Sequence, residues 1–174
     1  MKKIILLAAA IVLAMTSFAK SDLKVKSGSM AWAKENASVS VMFDFSSAKW
    51  DNDQDFKTWC GEDYEARAKN SINGFINGFN NKSKGAKATE NEDGAKYRII
   101  VKINNMDWRQ SFTGMWGQFY ALCWGTIEVT DIATGESVCT IEIDGANGDG
   151  DFAPNDRFTK CYKEVGETLA KMKK

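Results

Sequence analysis

Val39, Val41, Phe43 and Phe45 alternate with Ser38, Ser40, Met42 and Asp44, and Tyr97, Ile99, Val101 and Ile103 alternate with Arg98 and Lys102. A period of two places every second side chain on one side of an extended chain. Each stretch therefore reads as a strand with one face in a core and the other in water. Gln118 to Thr130 and Ser137 to Ile143 supply two more strands, joined by Asp131-Ile132-Ala133-Thr134-Gly135-Glu136, where Gly135 suits the left-handed conformation that closes short loops. Pairing Thr130 with Glu136 sets Ile127 opposite Cys139, Gly125 opposite Ile141 and Cys123 opposite Ile143, with the apolar residues on a common face. Leu23 to Trp32 is a weaker strand bent at Ser27-Gly28-Ser29, and the polar turn Lys34-Glu35-Asn36 suggests a hairpin with the strand at Val39.

Elsewhere the apolar period becomes helical. Phe56, Trp59, Cys60, Ala68, Ile72, Phe75, Ile76 and Phe79 form one stripe behind the acidic run from Asp51 to Asp55, which suits a helix start, while Lys82, Lys84 and Gly85 supply stop signals. Gly74 and Gly78 either weaken the last turns of this helix or let another backbone come close. Pro154-Asn155-Asp156 opens a second helix with Phe158, Cys161, Tyr162, Val165, Leu169 and Met172 on one stripe, ending among Lys171, Lys173 and Lys174. The order β-β-α-β-β-β-α predicts an α+β fold: a single mixed sheet of four to five strands with two amphipathic helices packed on one face.

The first nineteen residues, MKKIILLAAAIVLAMTSFA, carry two lysines, an apolar core and the small-x-small site Ser17-Phe18-Ala19. They read as a signal peptide cleaved after Ala19, so residues 20–174 are expected to form one exported domain, periplasmic or secreted. No cysteine follows the apolar run closely enough for a lipid anchor. Loss of Lys2 and Lys3 lowers the basic count from 23 to 21 against 23 acids, a net charge of about −2. That balance gives no nucleic-acid footprint. No remaining apolar run is long enough for a membrane-spanning helix, so the mature chain is expected to be soluble or peripherally bound.

Histidine is absent, which excludes Ser-His and Cys-His triads and removes the commonest imidazole metal ligand. Catalysis by carboxylates alone depends on their separation in space, which a sequence does not give. The chain is therefore read as a non-enzyme, with no cofactor or metal. Asp51, Asp53, Asp55 and Glu62 have calcium-loop spacing, but Phe56 stands where that loop needs glycine. Asn147, Asp149 and Asp151 fail in the same way, with Phe152 at the glycine position and Phe158 at the position of the bidentate acid.

Cys60, Cys123, Cys139 and Cys161 form an even set, which in an oxidising compartment permits three pairings. In the hairpin register above, Cys123 and Cys139 lie roughly 13 Å apart by strand rise, beyond disulfide reach. Cys60 and Cys161 each sit near a helix start on an apolar stripe, so a Cys60–Cys161 bridge is the expected pairing, against four free buried thiols. Zinc is disfavoured because there is neither a Cys-x-x-Cys pair nor a histidine.

From Met106 to Trp124 the chain concentrates aromatic residues, with Trp108, Phe112, Met115, Trp116 and Phe119 around Gly114 and Gly117. Large rings on a glycine-flanked loop suit a binding surface, and the same rings also suit closing the end of a core. The stretch from Gly125 to Glu136, between a long helix and a final amphipathic one, resembles small periplasmic α/β domains related to the TolB N-terminal domain, LpoB and CsgG, and uncharacterised exported proteins of the Bacteroides group. The resemblance implies a mixed sheet backed by two helices and a role in envelope assembly through protein contacts, with no catalytic residues. The expected function is a non-catalytic exported domain that binds an envelope or extracellular protein through Trp108, Phe112, Met115, Trp116 and Phe119. The alternative is a carrier holding a lipid or glycan between sheet and helices. A carrier needs an enclosed pocket of about 300 Å³ or more, whereas a binding module has a filled core.

Overall fold

The computed structural model describes residues 22–113, 116–148 and 154–172, with side chains at all of these except 109–113, 116–120 and 154–156. The described chain opens with β1 (Leu23–Gly28), makes a 3-10 turn at Ala31–Lys34, and continues through β2 (Ser38–Asp44), β3 (Lys49–Trp50), β4 (Gln54–Asp55), α1 (Phe56–Cys60) and α2 (Tyr64–Lys82). β5 (Lys87–Thr89), β6 (Tyr97–Thr113), β7 (Trp116–Asp131), β8 (Ser137–Asn147) and α3 (Pro154–Lys171) follow. Residues 1–19, expected to be a signal peptide, lie outside the described residues.

The strands form one mixed sheet in the order β1-β8-β7-β6-β2-β5, with β3 beside β6 and β4 beside β3. The class is α+β as the sequence indicates, but the sheet has eight strands, not four to five. The additional three, β3, β4 and β5, are two or three residues long, too short to display a period of two. β1 does not pair with β2. It runs antiparallel to β8 at the sheet edge, while β2 lies parallel to both β5 and β6. The connection between them buries Met30, Trp32 and Ala33, with the Trp32 ring stacked at 6.0 Å on Phe79, so an apolar plug stands where a hairpin would need a tight polar turn.

The β7–β8 hairpin forms two residues out of the expected register from Val129 to Trp124. Val129 faces Cys139, Ile127 faces Ile141 and Gly125 faces Ile143, after a bulge beside Thr130, and a second irregularity between Trp124 and Cys123 sets Cys123 opposite Ala146, three out. A slip of two keeps each side chain on its own face, so the expected apolar face survives. That face meets α2 and α3. Val39 and Val41, Ile99, Val101 and Ile103, Ile127 and Val129, and Ile141 and Ile143 are buried against Phe75, Phe79, Phe158, Tyr162, Val165 and Leu169. The opposite face carries pairs such as Lys102–Glu128 and Lys26–Glu142.

The helices cross on glycine. A Cβ at Gly74 would stand 2.4 Å from the Thr159 carbonyl oxygen, one at Gly78 would stand 2.0 Å from that of Lys163, and one at Gly166 would stand 2.3 Å from that of Phe75. Their absence is what admits the second backbone. Asp55, the last residue of the acidic run, caps α1 by accepting a hydrogen bond from the Thr58 amide at 2.8 Å.

Candidate functional site

β6 and β7 outrun the rest of the sheet. The pairing of β3 with β6 ends at Met106, and that of β8 with β7 ends at Leu122, yet β6 and β7 stay paired with each other to Thr113 and Trp116. Asp107–Thr113 and Trp116–Ala121 therefore form a two-stranded ribbon whose outer edges have no strand partner among the described residues. Such edges carry a row of free backbone donors and acceptors, the template to which another strand adds.

The ribbon rises from an aromatic base. Trp50 and Trp59 stack with centroids 3.6 Å apart and planes 8° from parallel, and Trp108 meets them edge-on at 5.6 and 6.0 Å. Phe158 closes the group from α3, 6.3 Å from Trp108. Two cations cover the rings. The Arg157 guanidinium lies 4.2 Å from the Trp108 centroid, and that of Arg67 lies 4.7 Å from Trp59 while pairing with Asp63 at 2.9 Å. The Trp108 indole N–H is buried and has no hydrogen-bond partner among the described residues.

This base positions Trp108 through the β3–β4 turn. Asp51 and Asn52 both take positive φ, 52° and 60°, so the chain reverses between Trp50 and Asp53 in two residues. The Asp51 amide donates to the Met106 carbonyl and the Asn52 amide to the Asn105 side chain, both at 2.8 Å, which fixes the turn against β6. Trp50, Arg67 and Arg157 were not marked by sequence reasoning. The signal for Trp50 was the Asp-Asn pair after it, a two-residue hairpin turn; the arginines carried none.

Of the residues expected to contact a partner, Trp108 is half-buried in this base. Met115 lies outside the described residues. Phe112, Trp116 and Phe119 are placed on the ribbon by backbone register, opposite Gly117, Thr113 and Gln110, and their side chains lie outside the described residues. Asp149 and Asp151 also lie outside them.

The cysteines are arranged otherwise than expected. All four are buried free thiols, and the sulfur beside Cys161 belongs to Cys123, at 3.5 Å, not to Cys60. Cys60 instead lies beside Arg67, whose Nη1 is 3.9 Å from its sulfur, and Cys139 lies beside the Met30 sulfur at 3.8 Å. Cys60 ends α1 instead of opening a helix, and Cys161 faces β7 and the Ala146 carbonyl oxygen. Burial pushes the Cys60 and Cys139 thiols up, and the Cys161 hydrogen bond together with burial pushes Cys123 well up, so none of these three is an activated thiolate.

Four carboxylates among the described residues are held low. Hydrogen bonds from Lys96 and Tyr97 lower Glu35, Ser46 lowers Asp44, and Thr58 lowers Asp55. Burial pushes Glu167 up, but Asn81, Lys82 and Lys171 together bring it below its usual value. A general acid needs the opposite displacement.

Grooves of about 620, 520 and 390 Å³ lie outside the helix–sheet interior. The largest sits at the open edge of β2, beside Met42 and Tyr64, and the second lies among Asn52, Asn104, Asn105, Asp107 and Trp124. The third is at the helix ends, with Lys34, Lys82, Lys84 and Lys171 around Ala33 and Met172. No helix among the described residues is long and apolar enough to cross a membrane.

No protein-family model and no curated protein matches the chain. Two solved dodecamers of PelC from Paraburkholderia phytofirmans, one of them a point variant, are similar to it at 15% identity and a TM-score of 0.48. The match covers 85% of this chain for the variant and 84% for the other, and 97% of the PelC chain in each.

Proposed function

We propose that this chain is a non-catalytic exported domain that binds an envelope or extracellular protein through the β6–β7 ribbon. The observation that carries the reading is the ribbon itself: Asp107–Thr113 paired with Trp116–Ala121, with no strand partner on either outer edge among the described residues. A partner strand on either edge gains backbone hydrogen bonds, and the aromatic residues along the ribbon supply apolar contact area. The packed interior supports a binding module over a carrier of lipid or glycan. Phe75, Phe79, Phe158 and Tyr162 occupy the space between sheet and helices and are 0% exposed. The absence of histidine, which removes the commonest general base, supports a role without catalysis.

Affinity capture from the native envelope tests the reading, with the same chain altered in the ribbon as the control. Capture that is indifferent to the ribbon would sink it. Export has its own measurement. N-terminal sequencing of protein recovered from the envelope should begin at Lys20, and a retained Met1 would overturn the assigned compartment.

A further inference from the structure

Cys123 on β7 and Cys161 on α3 stand 38 residues apart in sequence with their sulfurs in contact at 3.5 Å. Both are 0% exposed, and neither Cys60 nor Cys139 has another thiol beside it. The Cys161 sulfur also lies 3.3 Å from the Ala146 carbonyl oxygen. A thiol has one proton. The reduced pair is satisfied when Cys161 donates to that carbonyl and Cys123 donates to the Cys161 sulfur.

We propose that Cys123 and Cys161 are a disulfide-forming pair that bonds β7 to α3 when the chain folds in an oxidising compartment. The compartment rests on the export reading above; the pairing rests on the sulfur geometry. Closing from 3.5 Å to a disulfide bond of about 2 Å brings the two sulfurs about 1.5 Å nearer. The bond would tie the last helix, which covers the sheet through Phe158, Tyr162, Val165 and Leu169, to a central strand. A link across so long a loop removes much of the freedom of the unfolded chain.

The oxidant is a disulfide, either a small molecule or an oxidising protein. One cysteine thiolate attacks it, forming a mixed disulfide and releasing one oxidant thiolate. The second cysteine thiolate attacks the mixed disulfide at the first cysteine's sulfur and releases the other. The chain loses two protons and two electrons, and the oxidant's sulfur pair takes up the electrons as two thiols. Both sulfurs are closed off in the folded domain, so the exchange belongs to folding, before α3 settles on the sheet.

The test refolds the full chain, reduced in guanidinium, against a mixture of reduced and oxidised glutathione, then alkylates free thiols and maps the peptides. The expected result is one intramolecular link, Cys123 to Cys161, with Cys60 and Cys139 alkylated. Four alkylated cysteines would overturn the proposal, as would a dominant link that includes Cys60 or Cys139. A Cys60→Ala, Cys139→Ala chain should still lose two hydrogens on refolding, and failure to do so in a folded product counts against the pair. Refolding makes no use of export, so the two readings fail separately. A Cys123–Cys161 link in the refolded chain alongside a retained Met1 in cells would leave the pair standing and remove the compartment.

Discussion

The Glu35 carboxylate accepts hydrogen bonds from the Lys96 ammonium at 2.6 Å and the Tyr97 hydroxyl at 2.9 Å, tying the turn before β2 to the start of β6. Both contacts favour the ionised carboxylate, so its folded pKa lies below the ordinary 4.5. A lowered pKa gives stability that is present above pH 4.5 and lost as pH falls through the folded value. Lys96 is raised above 10.5, so its share is present below that pH and lost as pH rises through its folded value. Melting temperature measured from pH 7 down to pH 3 should fall less steeply in Glu35→Gln than in the parent, with the variant less stable at pH 7. Parallel curves would mean the contact contributes nothing, a real outcome for an exposed ion pair. Nothing local in the sequence marked this pairing. Glu35 and Lys96 are 61 positions apart, and a contact between a turn and a strand start leaves no period behind.

The crossing of α2 and α3 depends on having no side chain at three points. Gly78→Ala puts a methyl where the Lys163 carbonyl oxygen now stands 2.0 Å from the Cβ position, so the helices must separate. The helix propensity gained, up to about 1 kcal/mol, is outweighed by overpacking, which typically costs about 1–3 kcal/mol. Denaturant unfolding should show a lower midpoint with an unchanged slope; a midpoint at or above the parent's would mean the crossing yields. The sequence left two readings of Gly74 and Gly78 open, and the close approach of α3 decides between them. Within single elements much was legible: the alternation in β2 and β6, the β7–β8 hairpin and the helical periods follow from local sequence, although the stripe from Phe56 to Phe79 is broken at Gly61–Asp63 into α1 and α2. What joins them was not. β1 finds β8 at the far end of the chain, β2 finds β6 in parallel, and β3 is held by the turn at Asp51 and Asn52 more than by its own two residues. The aromatic density from Trp108 onward was plain. Its division into a packed base and a projecting ribbon depends on where β3 and β8 stop pairing, which no residue in that segment states.

That division separates two parts among the described residues: helices and sheet form the packed body, and the ribbon extends beyond the neighbouring strands. Trp108 belongs to the body, where it meets Trp50, Trp59, Phe158 and Arg157. Trp116 sits at the far end of the ribbon, paired in register with Thr113. The two tryptophans should therefore fail differently when cut to alanine. Trp108→Ala removes part of a ring cluster and should lower the melting temperature, with a cost approaching the roughly 3 kcal/mol seen when a large aromatic side chain leaves a core. Trp116→Ala should leave the melt nearly unchanged. If the ribbon tip is the centre of a partner contact, truncation there costs about 2 kcal/mol or more of binding, roughly a thirtyfold loss of affinity. Thermal melts and recovery of the captured partner, measured for both variants beside the parent, separate the cases. Lost capture with an intact melt in Trp116→Ala places the contact on the ribbon. A large fall in its melting temperature would move Trp116 into the body and end the proposal for that residue, and full capture at an unchanged melt would move the contact elsewhere.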